Sequence, residues 1–214
     1  MVHIYVANIS ALPDPKEPPE LLSNFPENRK QKILRFVQKK DRIQSLGASM
    51  LLQKVLQMYG KEMKDICYGE NGKPELDGFY FNLSHSHEMA VCAVSECPVG
   101  CDIEKIGKPL SKIARRFFHE NEIQYLESLD EEQQNDGFYR LWTMKESYVK
   151  MTGEGMKVPL NQVEFVLEDS VQVYRDEKKC ACNIKEYDIP GYKVTVCAEE
   201  DVCAEVMEYI ELIL

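Results

Sequence analysis

Apolar residues in the first half of the chain recur with helical spacing in two stretches and with strand spacing in three. After Pro26, residues three and four positions apart predict a helix that reaches Val37. A second helix is predicted over residues 45–59, with Gly60 as its end. Short apolar runs predict strands over residues 1–7, 79–83 and 89–94. The first half therefore mixes helices and strands.

The second half of the chain shows the same mixture. Pro109 suits the first turn of a helix because its fixed φ is helical, and an apolar stripe follows it. The stripe consists of Leu110, Ile113, Ala114, Phe117 and Phe118. A further helix is predicted over residues 135–151, ending at Gly153. Alternation between residues 163 and 189 predicts strands, with turns at 168–170 and 176–177.

One short segment recurs within the chain. Residues 89–96 (MAVCAVSE) resemble residues 194–201 (VTVCAEED), which lie 105 positions further on. The offset is about half of the 214 residues, as expected for a repeated unit. We therefore expect an α+β fold with two similar lobes, one over residues 1–100 and the other over residues 101–214.

Composition and charge exclude several classes of function. The 44 % hydrophobic content is ordinary for a globular chain, and the formal net charge of −10 argues against a broad nucleic-acid-binding surface. No apolar run approaches the ~18 residues that span a bilayer. The N-terminus lacks the basic and apolar regions of a secretory signal. We expect a cytoplasmic monomer with eight reduced cysteines and with neither nucleic acid nor membrane as partner.

Acidic side chains are concentrated in two short segments that could meet at one metal ion. In an extended segment alternate side chains share a face, so Asp102 and Glu104 project together. In a helix residues four apart share a face, which aligns Trp142, Glu146 and Lys150. Three carboxylates and a lysine suit Mg²⁺ and a phosphate-bearing substrate. The pattern indicates phosphoryl transfer.

Each of these pairs also has an ordinary explanation. Glu146 and Lys150 have the spacing of an exposed helical ion pair, which stabilises a helix by only ~0.2–0.5 kcal/mol. Asp102 and Glu104 could form the solvated face of an edge strand. Trp142 is expected to be a core residue. The functional interpretation therefore depends on further motifs elsewhere in the chain.

Four motifs occur in a characteristic order. They are GKP at 72–74, FNLSHS at 81–86, GCDIE at 100–104 and WTMKES at 142–147. In this order and spacing they resemble the signature of the Sfp-type 4′-phosphopantetheinyl transferases, over nearly the whole chain. The resemblance implies that family's two-lobed fold, with lobes related by a pseudo-twofold axis and an active site between them.

The resemblance also implies a reaction. The phosphopantetheine arm of coenzyme A is transferred to a serine of an apo acyl or peptidyl carrier protein, and adenosine 3′,5′-bisphosphate is released. Mg²⁺, or Mn²⁺ in its place, is expected on Asp102, Glu104 and Glu146, in agreement with the metal site that the spacing of these carboxylates predicts. Glu146 or a bound water would take the serine proton, and Lys150 would contact the reacting phosphate.

Coenzyme A contacts are expected at several other positions. Ser84 and His85 would face phosphate, and Lys73 would contact the nucleotide end. The first 60 residues match the family less well, and six basic residues there could bind the 3′-phosphate: Arg29, Lys32, Arg35, Lys39, Lys40 and Arg42. Of these we select Lys32 and Arg42. The carrier protein is expected to dock on residues 110–129, where apolar side chains could receive a helix.

Two other classes of function remain open from the residues alone. A metal-dependent hydrolase could use His85, His87, Asp102 and Glu104 as a zinc or manganese site, but it would not need the helix that carries Glu146. A non-catalytic carrier-binding protein would have no reason to combine three carboxylates with a lysine. Activity without a carrier protein would indicate the hydrolase.

Overall fold

The computed structural model describes residues 1–69, 72–108, 111–199 and 203–212. Pro109 and Leu110, the predicted start of the third helix, lie outside the described residues. The helices are α1 Glu27–Leu34, α2 Lys39–Met58, α3 Ser111–Phe117, α4 Glu120–Glu127 and α5 Glu131–Thr152. The strands are β1 His3–Asn8, β2 Cys67–Tyr68, β3 Pro74–Glu75, β4 Tyr80–Ser86, β5 Met89–Ser95, β6 Val99–Lys105, β7 Val163–Leu167, β8 Val171–Arg175, β9 Lys178–Lys179, β10 Asn183–Ile189, β11 Tyr192–Ala198 and β12 Glu208–Tyr209.

Three helix boundaries differ by more than one residue from the predicted ones, and one of them is the start of α5, which is at Glu131 and not at residue 135. Helix α1 ends at Leu34, where the Arg35 N–H closes the last turn on the Gln31 carbonyl. Val37 was predicted to lie on this helix; it follows the helix and is 91 % exposed. Helix α2 begins six residues before the predicted start because charged residues, which carry no apolar period, form its first turn.

Helix α5 is bounded by capping groups that the sequence contains. The Asp130 carboxylate accepts the Gln133 N–H at 2.8 Å and so satisfies a free donor of the first turn. Gly153 ends the helix with φ 71°, a left-handed conformation that favours glycine. The prediction that the helix ends at Gly153 is confirmed. The two capping groups therefore define a helix of 22 residues.

Two main sheets carry the recurring segment at equivalent places. The first has the strand order β12-β1-β5-β4, and the second has the order β10-β11-β6. The two similar segments form β5 and β11, which are interior strands of their respective sheets. Helix α2 packs on the first sheet, and α5 packs on β6 and β11. Strands β7, β8 and β9 form a small separate sheet with the predicted turns between them.

Separate sheets and helices confirm the α+β prediction. The predicted lobe boundary at residues 100 and 101 falls inside β6, whose first residue Val99 already pairs with Ala198 of β11. Strand β12, near the end of the chain, returns to the first sheet and pairs in parallel with β1. The division into two similar lobes stays a prediction. No helix among the described residues is long and apolar enough to cross a membrane.

Strands β4 and β6 lie side by side where the two sheets meet. The Cys101 N–H of β6 donates to the Asn82 side-chain oxygen of β4 at 3.0 Å, and the Cys101 thiol contacts the Asn82 carbonyl oxygen at 3.3 Å. Both residues are buried. This contact fixes the relative register of the two strands that carry the candidate site.

Candidate active site

A glycine allows helix α5 to lie directly on strand β6. A Cβ atom on Gly100 would stand 2.0 Å from the Ser147 carbonyl oxygen and 2.4 Å from the Met151 nitrogen. Both are backbone atoms and cannot move aside as a side chain can, so only glycine fits here. The close approach brings Glu146 and Lys150 of the helix to Asp102 of the strand.

Lys150 pairs with Asp102 within the protein. Its ammonium lies 2.6 Å from Asp102 Oδ1, 3.1 Å from Ser84 Oγ and 3.2 Å from the Cys101 carbonyl oxygen. Burial lowers the pKa of Lys150, but the Asp102 carboxylate and its other neighbours outweigh burial, so the pKa is raised overall. The lysine is therefore a cation at the site.

Asp102 is 3 % exposed, and one of its oxygens has no partner among the described residues. Its Oδ1 accepts hydrogen bonds from Ser84 and Lys150, whereas Oδ2 is buried and makes no hydrogen bond in that part of the chain. A buried charged oxygen without a partner is strongly unfavourable. This atom is placed to bind a ligand, and its charge calls for a cation or a donor.

The other two carboxylates are close enough to Asp102 to be affected by its charge. Burial, and next the Asp102 carboxylate, raise the pKa of Glu104 to about 7. Burial and then Asp102 also raise the pKa of Glu146. Three mutually repelling acids with a single lysine among them favour the binding of a further cation.

The predicted metal ligands are neighbours, but they do not form a closed cage. Among the described residues, no three carboxylate, imidazole or thiol side chains stand close enough together to hold an ion as they are oriented. The ammonium of Lys150 lies on Asp102 instead, where it balances part of the negative charge. The donor set nevertheless suits a hard cation, since it consists of carboxylate oxygens and includes the unpaired Asp102 Oδ2.

A group of cations lies beyond Ser84, around His85. The His85 side chain reaches solvent, yet enough protein surrounds the ring to lower its pKa, and the charges of Lys150 and Arg29 lower it further. Arg29 is buried, with its Nε donating to Ser49 Oγ at 2.7 Å. Burial, followed by the charge of Arg29, lowers the pKa of Lys32. Because no carboxylate pairs with Arg29 or Lys32 in the described part of the chain, the group is suited to an anion.

Arg42 is engaged in the fold. Its Nε donates to Asp14 Oδ1 at 2.8 Å, and its Nη2 pairs with Asp14 Oδ2. The remaining nitrogen donates to the carbonyl oxygens of Phe36 and Val37 at 2.9 and 2.6 Å. All three nitrogens are thus occupied and four of the five N–H groups are used, so a phosphate would meet a single remaining N–H of Arg42 unless it displaced Asp14. Arg29 is better placed, and sequence reasoning passed over it although it lies three residues before Lys32 on one helical face.

Lys73 holds the end of helix α5. Its ammonium donates to the Lys150 carbonyl oxygen at 2.7 Å and to that of Met151 at 3.1 Å, which favourably places a cation at a helix C-terminus. Burial lowers the pKa of Lys73. The same lysine lines a cavity of about 500 Å³ together with Pro74, Phe81 and Thr152. The cavity leaves space for the predicted contact between Lys73 and a nucleotide, but in this structure the Lys73 ammonium binds the end of helix α5.

Comparison with known proteins gives consistent matches. Residues 98–197 match the model of the 4′-phosphopantetheinyl transferase superfamily. The chain is 40 % identical to the 4′-phosphopantetheinyl transferase gsp of Aneurinibacillus migulanus over 83 % of this chain and 78 % of that one. It is 37 % identical to the 4′-phosphopantetheinyl transferase Sfp of Bacillus subtilis (strain 168) over 86 % of each chain. A further 4′-phosphopantetheinyl transferase of Bacillus subtilis is 35 % identical over 92 % of this chain and 93 % of its own.

These matches extend over most of the chain and confirm the resemblance drawn from the four motifs. They also confirm the prediction that the protein is an enzyme, and they leave the roles of single residues as predictions. The chain belongs to the 4′-phosphopantetheinyl transferase family.

Proposed function

We propose that this protein transfers the phosphopantetheine arm of coenzyme A to a serine of an apo acyl or peptidyl carrier protein, with Mg²⁺, and releases adenosine 3′,5′-bisphosphate. One observation carries the proposal beyond family membership. A group of carboxylates and a group of cations that have no carboxylate partner among the described residues flank the same strand, β4, on either side of Ser84. This arrangement suits a substrate with a pyrophosphate at one place and a further phosphate at another.

The carboxylates supply the metal end of the site. We assign Asp102, through its unpaired Oδ2, together with Glu104 and Glu146 as the ligands of Mg²⁺, for which Mn²⁺ could substitute. Bound there, the ion would neutralise charge on the pyrophosphate. Lys150 lies at the edge of these carboxylates and would donate to a phosphate oxygen once Asp102 no longer holds it.

Glu146 is the proposed general base. Its half-buried carboxylate lies close enough to Asp102 to be affected by that charge, beside the place proposed for the ion, where a positioned carboxylate can accept a proton. In the reaction the serine oxygen forms a bond to the β-phosphorus of coenzyme A while the pyrophosphate P–O bond to the departing nucleotide breaks. The serine proton passes to Glu146 directly or through a water.

The cations supply the anion end of the site. We assign the 3′-phosphate of coenzyme A to Lys32 and His85 and add Arg29 in place of Arg42, because the Arg42 nitrogens are occupied within the fold. Ser84 remains a proposed phosphate contact, although its hydroxyl donates to Asp102 here. The cavity beside Lys73 is the proposed place of the nucleotide end.

The proposed docking surface for the carrier protein lies on the second half of the chain. A cavity of about 210 Å³ between helices α3, α4 and α5 is lined by Ala114, Ile123, Leu126 and Phe138. Arg115, Glu127 and Gln134 complete the lining, so the groove is apolar only in part and suits an amphipathic carrier helix.

We further propose that the protein acts as a cytoplasmic monomer, with neither nucleic acid nor membrane as partner. The net charge of −10 supports the absence of a nucleic-acid partner.

Intact mass spectrometry tests the proposed function. Apo carrier proteins are incubated with the protein, coenzyme A and Mg²⁺, with EDTA in a parallel sample. We expect a mass gain of one phosphopantetheine group that EDTA abolishes and that Asp102→Ala greatly slows. A wild-type protein that binds coenzyme A but modifies none of the carriers would contradict the proposal. Mass gain in EDTA would contradict the role of the metal.

A further inference from the structure

Two serines of strand β4 bind two carboxylates of strand β6 in matching positions. The Ser84 hydroxyl donates to Asp102 at 2.7 Å, and the Ser86 hydroxyl donates to Glu104 at 2.9 Å. The serines are two residues apart, as are the acids, so each pair shares one face of its strand. The result is a ladder with two hydroxyl–carboxylate rungs between neighbouring strands. Glu104 is a proposed metal ligand, whereas Ser86 has no role in the proposed function.

We propose that Ser86 is a positioning residue, which holds the Glu104 carboxylate in the orientation that binds the divalent cation. The inference rests on the metal role of Glu104 in the proposed function. Ser86 itself is 6 % exposed and would contact neither the substrate nor the ion. It would act through Glu104, as second-sphere groups act at other metal sites.

Backbone contacts direct the Ser86 proton towards Glu104. The Lys105 N–H donates to Ser86 Oγ at 3.2 Å, so one lone pair of the hydroxyl is occupied. The hydroxyl has two further neighbours: it donates to Glu104 Oε2 at 2.9 Å, and the His87 ring nitrogen at 3.3 Å donates or accepts according to its tautomer. The Glu104 oxygen is the nearer of the two, at an ordinary hydrogen-bond distance. The hydroxyl therefore bridges the Lys105 amide and the Glu104 carboxylate.

Each rung fixes one carboxylate oxygen and leaves the other available. For Asp102, Oδ1 is held and Oδ2 has no partner in the part of the chain that the structure describes. For Glu104, Oε2 is held by Ser86, and Oε1 makes no hydrogen bond within the described residues. One oxygen of each acid is thus without a hydrogen bond in the described structure, while the other oxygen holds the carboxylate in place. Without Ser86, the Glu104 side chain would have to be ordered when the ion binds.

Binding of Mn²⁺ alone tests this inference without any need for catalysis. Free Mn²⁺ is measured by electron paramagnetic resonance as it is titrated with wild type, Ser86→Ala and Ser86→Thr. We expect Ser86→Ala to bind about tenfold more weakly, whereas Ser86→Thr, which keeps the hydroxyl, retains most of the affinity. Ser95→Ala is the control, because Ser95 is about as buried as Ser86, while within the described residues its hydroxyl has a single hydrogen bond, from the Cys97 amide, away from the acids.

Activity separates positioning from a general loss of structure. At saturating Mg²⁺ the Ser86→Ala kcat should return to within a fewfold of the wild-type value, while the Mg²⁺ concentration for half-maximal rate rises about tenfold. Wild-type Mn²⁺ affinity in folded Ser86→Ala, or no Mn²⁺ binding by wild type, would overturn the inference. If Ser86→Ala does not fold, the Mn²⁺ affinity of Ser86→Thr decides. A folded Ser86→Thr that binds Mn²⁺ weakly would overturn the inference, and one that binds with the affinity of wild type would support it. Wild type that binds Mn²⁺ but modifies no carrier would refute only the proposed function.

Discussion

Removing the ammonium of Lys145 should destabilise this protein more than most single substitutions. Lys145 precedes the proposed base in helix α5 and is fully buried, and it pairs with Glu122 of helix α4 at 2.7 Å. Its ammonium also donates to the carbonyl oxygens of Leu160 and Val163 at 3.0 and 2.6 Å. One side chain thus ties α5 to α4 and to the start of β7.

Glu122 is satisfied just as completely. Its two oxygens accept the N–H groups of Phe165 and His119 at 2.9 and 2.8 Å, in addition to the lysine. Burial raises the pKa of Glu122 and lowers the pKa of Lys145, and each residue opposes that change in its partner. Either charge is therefore tolerated in the interior only while the other is present.

The size of the effect follows from this mutual dependence. Lys145→Met leaves a buried carboxylate without its counter-ion, and breaking a buried pair in this way costs about 3–5 kcal/mol. That is a large part of the ~5–15 kcal/mol that stabilises a typical domain. Glu122→Gln should have a similar effect. The double variant removes both charges, so its loss should fall about 2–3 kcal/mol short of the sum of the single losses.

Urea unfolding followed by fluorescence measures these free energies, since the single tryptophan, Trp142, stacks on Phe138 within the same core. Lys64→Met is the matched control: Lys64 pairs with Glu62 at 2.8 Å, but both side chains are more than 60 % exposed. We expect it to leave the free energy of unfolding unchanged. A loss below ~1 kcal/mol for Lys145→Met, or strictly additive losses in the double variant, would refute the reasoning.

Periodicity predicted the parts of the site that depend on local geometry. Alternation placed Asp102 and Glu104 on one face of a strand, and the helical repeat placed Glu146 and Lys150 on one face of a helix. The structure has both elements, with Ile103 buried between the acids as alternation requires. These arrangements need only the fixed dihedral angles of a strand and a helix, which neighbouring residues determine.

Partners far apart in the sequence could not be predicted in this way. Arg42 was expected to bind phosphate, yet it pairs with Asp14, 28 residues away, and Lys73 bonds to a helix end 77 residues away. No local pattern specifies which of several basic residues is occupied by an internal acid. Gly100 did offer a signal, because a glycine inside a strand often marks a close backbone approach. It identifies the crossing with α5, on which the site depends.

Three further predictions concern the site and the packing around it. Gly100→Ala should prevent folding or strongly lower the melting temperature, because its methyl group would overlap the backbone of α5; a variant that melts with wild type would contradict the close approach. Asp102→Ala and Glu146→Gln should each lower kcat at least ~10²-fold while circular dichroism shows the fold intact, and full activity in either would remove that residue from the proposed machinery. Finally, the pKa of Asp14 is lowered from its ordinary value of 3.8 to about 2, and the hydrogen bond from Arg42 is the largest cause. Because the folded-state pKa is the lower one, the pairing stabilises the protein fully above about pH 4 and is lost as the pH falls towards 2. Asp14→Asn should therefore melt below wild type at pH 7, and the gap should close progressively between pH 4 and pH 2; a gap that stays constant over this range would show that the charge of Asp14 does not stabilise the fold.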